Sequence, residues 1–250
     1  MDPARIAELL DPFLSPVHSR CHSEPGRRPG EEPAILSPTQ VQHISTYIDI
    51  LQRWNERINL TAIRNEEEIV TRHFGESLFA ARHLFPIRAH VEATERADPE
   101  SSRRVRQSAQ SSSISLADLG SGAGFPGIPI KLWVPEICLT LIESNQKKAT
   151  FLREVVRALS LTEVKIQNTR AEDLPHHQPF DVVTLRAVEG FTAALRIAAT
   201  LLAPAGRLAL LIGSSQLDQA RSTLPEISWN SLLLIPKSQS RMLLLGSRGI

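Results

Sequence analysis

Apolar positions follow two rhythms along this chain, and the change between them comes near residue 114. Before it the spacing is helical. Residues 3–14 carry Ile6, Leu9, Leu10 and Phe13 on one face of a short helix. Ser37-Pro38-Thr39-Gln40 opens a second helix: Ser37 is a suitable N-cap, Pro38 suits the first turn and Gln40 completes a capping box. Val41, Ile44, Ile48, Leu51 and Ile58 follow at helical spacing, which predicts an end near Asn59. Asn65-Glu66-Glu67-Glu68 reads as another capping box, opening a helix that carries Ile69, His73, Leu78 and Ala81. After residue 114 the apolar residues gather into short continuous runs at 114–119, 137–142, 164–167, 180–185 and 207–212, with two last runs at 232–235 and 242–245. A helical face of Phe151, Leu152, Val155, Val156 and Leu159 and an Ala/Leu-rich segment at 189–202 lie between them.

Strands that alternate with helices and are apolar throughout predict a mostly parallel α/β sheet covered by helices on both faces, with the last strand antiparallel. Two polar tracts interrupt the pattern. Residues 15–36 are rich in Pro, Gly, Arg and Glu and read as a flexible loop. Residues 92–113 are full of Ser, Arg and Gln and read as a low-complexity insertion. The expected organisation is therefore an N-terminal helical extension over 1–91, the insertion over 92–113 and a ligand-binding domain over 114–250.

Composition narrows the class. Of 250 residues, 42% are hydrophobic, enough for a sizeable core. No apolar run approaches the roughly 20 residues of a membrane span, and residues 1–14, with Asp2, Glu8 and Asp11, make a poor signal peptide. The two cysteines, Cys21 and Cys138, stand in unlike contexts, so a reducing, cytoplasmic setting is expected. The formal charge is only +1, so any nucleic acid must meet a local basic patch. His18, Cys21 and His22 cluster without partner cysteines at zinc spacing, and no metal site is expected.

The chemistry concentrates in Asp118-Leu119-Gly120-Ser121-Gly122-Ala123-Gly124-Phe125-Pro126-Gly127, directly after the first strand. Glycines there let the backbone turn sharply and approach a ligand, at the carboxyl end of a strand where open α/β sheets bind theirs. Glu143 closes the second strand, where a carboxylate can accept bonds from ribose hydroxyls. The glycine spacing alone is equally consistent with NAD. Three features favour S-adenosylmethionine. Asp118 would lie near the amino group of a methionine moiety and would repel pyrophosphate. Arg170-Ala171-Glu172-Asp173 follows the third strand, where an acid can bond an adenine amino group. The last two apolar runs read as a strand pair in place of a second substrate domain. A P-loop signature is absent.

Several segments together resemble the RsmG, or GidB, family of bacterial 16S ribosomal RNA guanine-N7 methyltransferases. They are Trp54-Asn55-Glu56-Arg57-Ile58-Asn59-Leu60-Thr61, Arg72-His73-Phe74-Gly75-Glu76-Ser77, the glycine loop through Gly127-Ile128-Pro129, Phe151-Leu152-Arg153, Arg170-Ala171-Glu172, and Phe180-Asp181 to Leu185-Arg186-Ala187. The two polar tracts lie outside the match. The resemblance implies a Rossmann-like class I methyltransferase sheet, S-adenosylmethionine as cofactor, and 16S rRNA of the small ribosomal subunit as partner. The methylated atom would be N7 of one guanine, guanine 527 in the family's usual RNA numbering. Asp118, Gly120, Gly122, Gly124, Phe125, Glu143, Ala171, Glu172 and Arg186 would contact the cofactor, and Asn59, Arg170, Arg186 and Glu76 would line the catalytic pocket. Glu76 stands where the family usually has Asp, and Ile212-Gly213 where many members have Lys-Gly. A monomer without metal is expected.

Guanine N7 carries a lone pair and no proton, so the reaction needs alignment more than a base. Arg186, at the end of the fourth strand, suits guanine O6 or a phosphate. Asn59 suits the base edge, and Glu76 could hold one of the pocket arginines or the purine amino group. His73 reads as a structural, hydrogen-bonded histidine. Arg53, Arg57, Arg64 and Arg72 collect on the N-terminal helices as a candidate RNA face. Two other readings use the same core: a catalytically weak RNA-binding or assembly factor, and a methyltransferase with another acceptor.

Overall fold

A computed structural model describes residues 1–15, 36–86, 113–174 and 179–249. The tract of His18, Cys21 and His22, nearly all of the 92–113 insertion, and His176-His177 lie outside them. Helix α1 (Pro3–Leu14) starts on Asp2, whose side chain accepts the Ala4 N–H. Helix α2 (Pro38–Asn55) opens on the expected capping box: Ser37 Oγ takes the Gln40 N–H at 3.2 Å and Gln40 Oε1 takes the Ser37 N–H at 2.8 Å. It ends at Asn55, four residues earlier than the periodicity predicts. The reason is local. Asn55 turns its side chain onto the chain ahead, accepting from the Leu60 and Thr61 N–H groups and donating to the Thr61 carbonyl. Such side-chain bonding competes with helix continuation.

The third helical stretch is not uniform. A short α3 (Glu66–Glu68), capped by Asn65, passes into a π-helical segment (Ile69–Gly75) and then α4 (Glu76–Leu84). At the junction Gly75 has no side chain because the Phe13 ring of α1 lies against it; a Cβ would meet that ring at 2.6 Å. The wider turns of a π segment often mark functional positions, and this one carries Arg72 and His73.

The sheet contains β1 (Ser115–Leu119), β2 (Cys138–Ile142), β3 (Val164–Gln167), β4 (Phe180–Arg186), β5 (Leu202–Gly213), β6 (Ile227–Leu234) and β7 (Arg241–Arg248) in the order 3-2-1-4-5-7-6. The first five pair in parallel, and β7 lies antiparallel between β5 and β6. This is the Rossmann-like class I methyltransferase arrangement expected above. Two of its short helices escape sequence reading, α5 (Gly127–Trp133) and α8 (Leu217–Thr223); α6 (Gln146–Ala158) and α7 (Phe191–Leu201) match it. The last two strands are longer than their apolar runs, because polar residues continue the ladder at their ends.

One apolar cluster joins α1, α2 and α4 to α5, α6 and one face of the sheet, through residues such as Phe13, Tyr47, Phe74, Ile128 and Phe151. A second cluster packs α7 and α8 on the other face. The N-terminal helices therefore share the core on that face of the sheet. No helix among the described residues is long and apolar enough to cross a membrane.

Candidate functional site

A cavity of about 960 Å³ opens at the carboxyl ends of the parallel strands. It is within the range of small-molecule sites. Its floor is the loop after β1. The Gly120 and Ser121 N–H groups donate to the Ile142 carbonyl at 3.0 and 3.1 Å, tying the loop to the end of β2. Gly122 has φ +55°, and a Cβ there would meet only the Gly120 carbonyl at 3.7 Å, so the loop presents bare backbone to open space. Gly124, at φ +84°, faces inward instead: a Cβ would collide with the Tyr47 hydroxyl and with Ile128 and Leu152. The Tyr47 hydroxyl donates to the Ala123 carbonyl, so α2 props this loop from beneath.

Glu143 is 7% exposed and fastens two elements at once. Its Oε2 accepts the Gly122 N–H at 2.9 Å and its Oε1 the Asn145 N–H at 2.7 Å, where Asn145 caps α6. Each oxygen keeps a further lone pair on the cavity wall. Thr169, Arg170, Ala171 and Glu172, in and before a 3₁₀ turn after β3, continue the lining. The bare backbone at Gly122, the carboxylate at the end of β2 and the cavity volume fit a nucleoside-bearing cofactor.

Asp118 turns inward, onto Thr184 and Gly127. It is 1% exposed and does not line the cavity. Its carboxylate accepts the Gly127 N–H at 3.2 Å and the Thr184 hydroxyl at 2.8 Å, which anchors the far end of the glycine loop to β4. Burial pushes its pKa up to about 6, against the pull of the Thr184 and Gly127 bonds and of Arg186.

The other half of the cavity is cationic. Arg186, the last residue of β4, has a side chain only 7% exposed. Its Nη2 donates to the Arg72 carbonyl at 2.8 Å and to His73 Nδ1 at 2.9 Å, and its Nη1 reaches the His73 carbonyl at 3.4 Å. The π-helical segment thus supplies a bed of acceptors for one guanidinium. Glu76 supplies the countercharge: its Oε2 is 3.3 Å from Arg186 Nη2 and its Oε1 is 2.8 Å from Arg241 Nε. Burial lowers Arg186 to about 10, with Glu76 opposing that shift. It therefore stays charged at neutral pH. Of the two partners the sequence leaves open for Glu76, the arginine is the one it meets, and it lies behind the cavity wall, not in it.

Two participants were not foreseen. Arg241, at the start of β7, lines the cavity beside Arg186. His73, taken from the sequence as structural, also lines it. Its ring stacks on Phe125 of the glycine loop at 4.7 Å between centroids, and its Nε2 is 2.8 Å from Thr61 Oγ1. Burial, then Arg186, Arg72 and Arg241, lower its pKa to about 3, so the ring is neutral. Asn59, by contrast, is exposed and outside the cavity lining, with Arg64 Nη2 3.4 Å from its Oδ1. The conspicuous amide of the Trp54 to Thr61 segment is Asn55, which fixes the turn, while Leu60 and Thr61 face the cavity. Of the other expected residues, Gly120, Gly122, Phe125, Glu143, Arg170, Ala171 and Glu172 line the cavity with Arg186, and Gly124 does not. Ile212 is buried on β5, facing the core.

A family model described as rRNA small subunit methyltransferase G, GidB, matches residues 40–93 and 100–239. The chain belongs to the GidB family. Among the relatives, the ribosomal RNA small subunit methyltransferase G of Chloroflexus aggregans is 37% identical over 69% of this chain and 66% of its own length. That of Roseiflexus sp. is 34% identical over 81% and 85%, and that of Stenotrophomonas maltophilia 38% identical over 84% and 79%. The chain thus spans about two thirds or more of these GidB relatives. Membership in the GidB family makes this a methyltransferase fold that uses S-adenosylmethionine, and Arg186 and Arg241 line the same cavity as the glycine loop and Glu143.

Proposed function

We propose that this protein transfers a methyl group from S-adenosylmethionine to N7 of a guanine in 16S rRNA of the small ribosomal subunit. The observation that carries the reading is the immobilised guanidinium of Arg186, bonded from several sides and facing the same cavity as the glycine loop. Gly120, Gly122, Glu143, Ala171 and Glu172 would hold the cofactor. When bound, it supplies a sulfonium methyl that the N7 lone pair can take as the carbon–sulfur bond breaks and the bonding pair returns to sulfur.

The residues of this chain then have one task, alignment. N7 has no proton to lose, and the neutral His73 is already committed to Arg186 through Nδ1, so no general base is required. Arg186 donates toward guanine O6, the acceptor beside N7. Arg241 and Arg72 present further positive charge at the mouth, and exposed Arg57, Arg64 and Arg170 extend it along the surface an RNA backbone would follow. The enzyme acts in the cytoplasm, as a monomer and without a metal.

The test is transfer of label from S-adenosylmethionine to small subunits and to naked 16S rRNA lacking the modification, mapped by the cleavage specific to N7-methylguanine. Label at one loop guanine is expected. Saturable cofactor binding without label at any guanine overturns the reading in favour of a silent assembly factor.

A further inference from the structure

We propose that the Thr61 hydroxyl is a specificity-determining donor to guanine O6; the inference rests on the function proposed above and follows from counting protons around His73. Arg186 Nη2 lies 2.9 Å from His73 Nδ1. A guanidinium has only donors, so Nδ1 must accept. In the neutral ring the proton is then on Nε2, which donates to Thr61 Oγ1 at 2.8 Å. The Ile63 N–H donates to the same oxygen at 3.1 Å. A hydroxyl oxygen has two lone pairs and one proton. Both lone pairs are occupied, and among the described residues no acceptor takes the proton.

The rest of Thr61 is immobile. Its N–H donates to Asn55 Oδ1 at 3.1 Å and its carbonyl accepts from Asn55 Nδ2 at 3.0 Å. The side chain lines the same cavity as Arg186 and Phe125. The free proton is therefore offered to whatever enters beside Arg186. Guanine presents the O6 acceptor next to N7; adenine presents an amino donor at the same place. An oxygen already accepting two bonds cannot accept a third from that amino group. Thr61 and Arg186 together are complementary to guanine and repel adenine, and His73 is the positioning residue that fixes the polarity of both.

The test is a cycle of two replacements, one in the protein and one in the RNA. Small subunits are reconstituted with 16S rRNA carrying either guanine or 2-aminopurine, which keeps N7 and lacks O6, at the target position. Single-turnover transfer is measured with wild type, Thr61→Val and Thr61→Ser. On guanine, Thr61→Val is expected to lose about 10- to 100-fold and Thr61→Ser, which keeps the hydroxyl, about threefold or less. On 2-aminopurine the Thr61→Val loss should shrink about tenfold, because the bond is already absent. S-adenosylhomocysteine affinity should stay within about twofold throughout, since the hydroxyl is on the acceptor side. If the valine variant does not bind S-adenosylhomocysteine, Thr61→Ala closes the same cycle. Equal losses on both bases overturn the Thr61 assignment alone. No label from wild-type enzyme on guanine subunits sinks the methyltransferase reading, and this one with it.

Discussion

Replacing Glu76 by Gln tests the electrostatic frame of the acceptor side. The carboxylate side chain is 3% exposed and pairs with two guanidiniums, at 2.8 Å to Arg241 Nε and 3.3 Å to Arg186 Nη2. Glutamine keeps the volume but removes the charge, and it turns an amide N–H₂ toward one of two groups that can only donate. Removing one partner of a buried pair costs about 3–5 kcal/mol. Arg241 is 25% exposed and can recover part of its hydration, so the lower figure, about 3 kcal/mol, applies. In a chain of this size that corresponds to a fall in Tm of about 6–12 °C. The assays are urea unfolding at pH 7.5 and methyl transfer on unmodified small subunits. Turnover should drop at least about tenfold, because Arg186 loses the charge that holds its guanidinium against the π-helical carbonyls. S-adenosylhomocysteine binding should survive. Glu76→Asp keeps the charge and should cost about 1 kcal/mol or less. A Glu76→Gln protein that unfolds within 1 kcal/mol of wild type and turns over normally refutes the reasoning, since the two arginines would then need no countercharge.

Four other outcomes are expected. Arg186→Ala should abolish transfer while S-adenosylhomocysteine binding, measured by calorimetry, largely persists; equal loss of both contradicts the division of the cavity into two halves. Gly124→Ala should cost about 2–4 kcal/mol by urea unfolding, from the positive φ and the collision with Tyr47 and Ile128. Gly122→Val should cost less stability yet weaken cofactor binding at least about tenfold, since its side chain would enter the cavity. Asp118 should give a pH signature. Its folded pKa of about 6 is above its ordinary value, so between roughly pH 4 and 6 the native state holds a proton the unfolded chain has lost. Stability from this group falls as pH rises through that window, by about 3 kcal/mol, and is flat above it. Asp118→Asn should lack this component, and parallel stability–pH curves for the two proteins rule it out.

What could be read beforehand divides along a physical line. Contacts made within a few residues are written in local chemistry: the Ser37 capping box, the apolar runs of β1 to β5 and the glycines after β1 all declare themselves, because cap, pleat and turn each depend on neighbours in sequence. Even there one local preference can override another, as when Asn55 stops α2 by spending its side chain on the turn ahead. Asp118 shows the limit of reading a residue by its position at a strand end, since the direction of its carboxylate is decided by Thr184 on a neighbouring strand and by Gly127 beyond the loop. The acceptor side was legible only through whole-segment resemblance. Its members come from the turn after α2, the π-helical segment, the end of β4 and the start of β7, and no spacing rule links them. Arg241 joins them because β7 runs antiparallel between β5 and β6, which brings its first residue to the end of the sheet where the parallel strands finish. The one trace in the sequence is a charged residue heading the apolar run that begins at Met242. A cation placed there needs either solvent or a partner, and in this fold the partner is a carboxylate from α4. Had the chain carried a neutral residue at position 76, the guanidiniums of Arg186 and Arg241 would line the cavity without that countercharge. The acidic residue at that position is therefore required by the arginines, whether its side chain is Asp or Glu, and its length sets only how closely Arg186 and Arg241 approach.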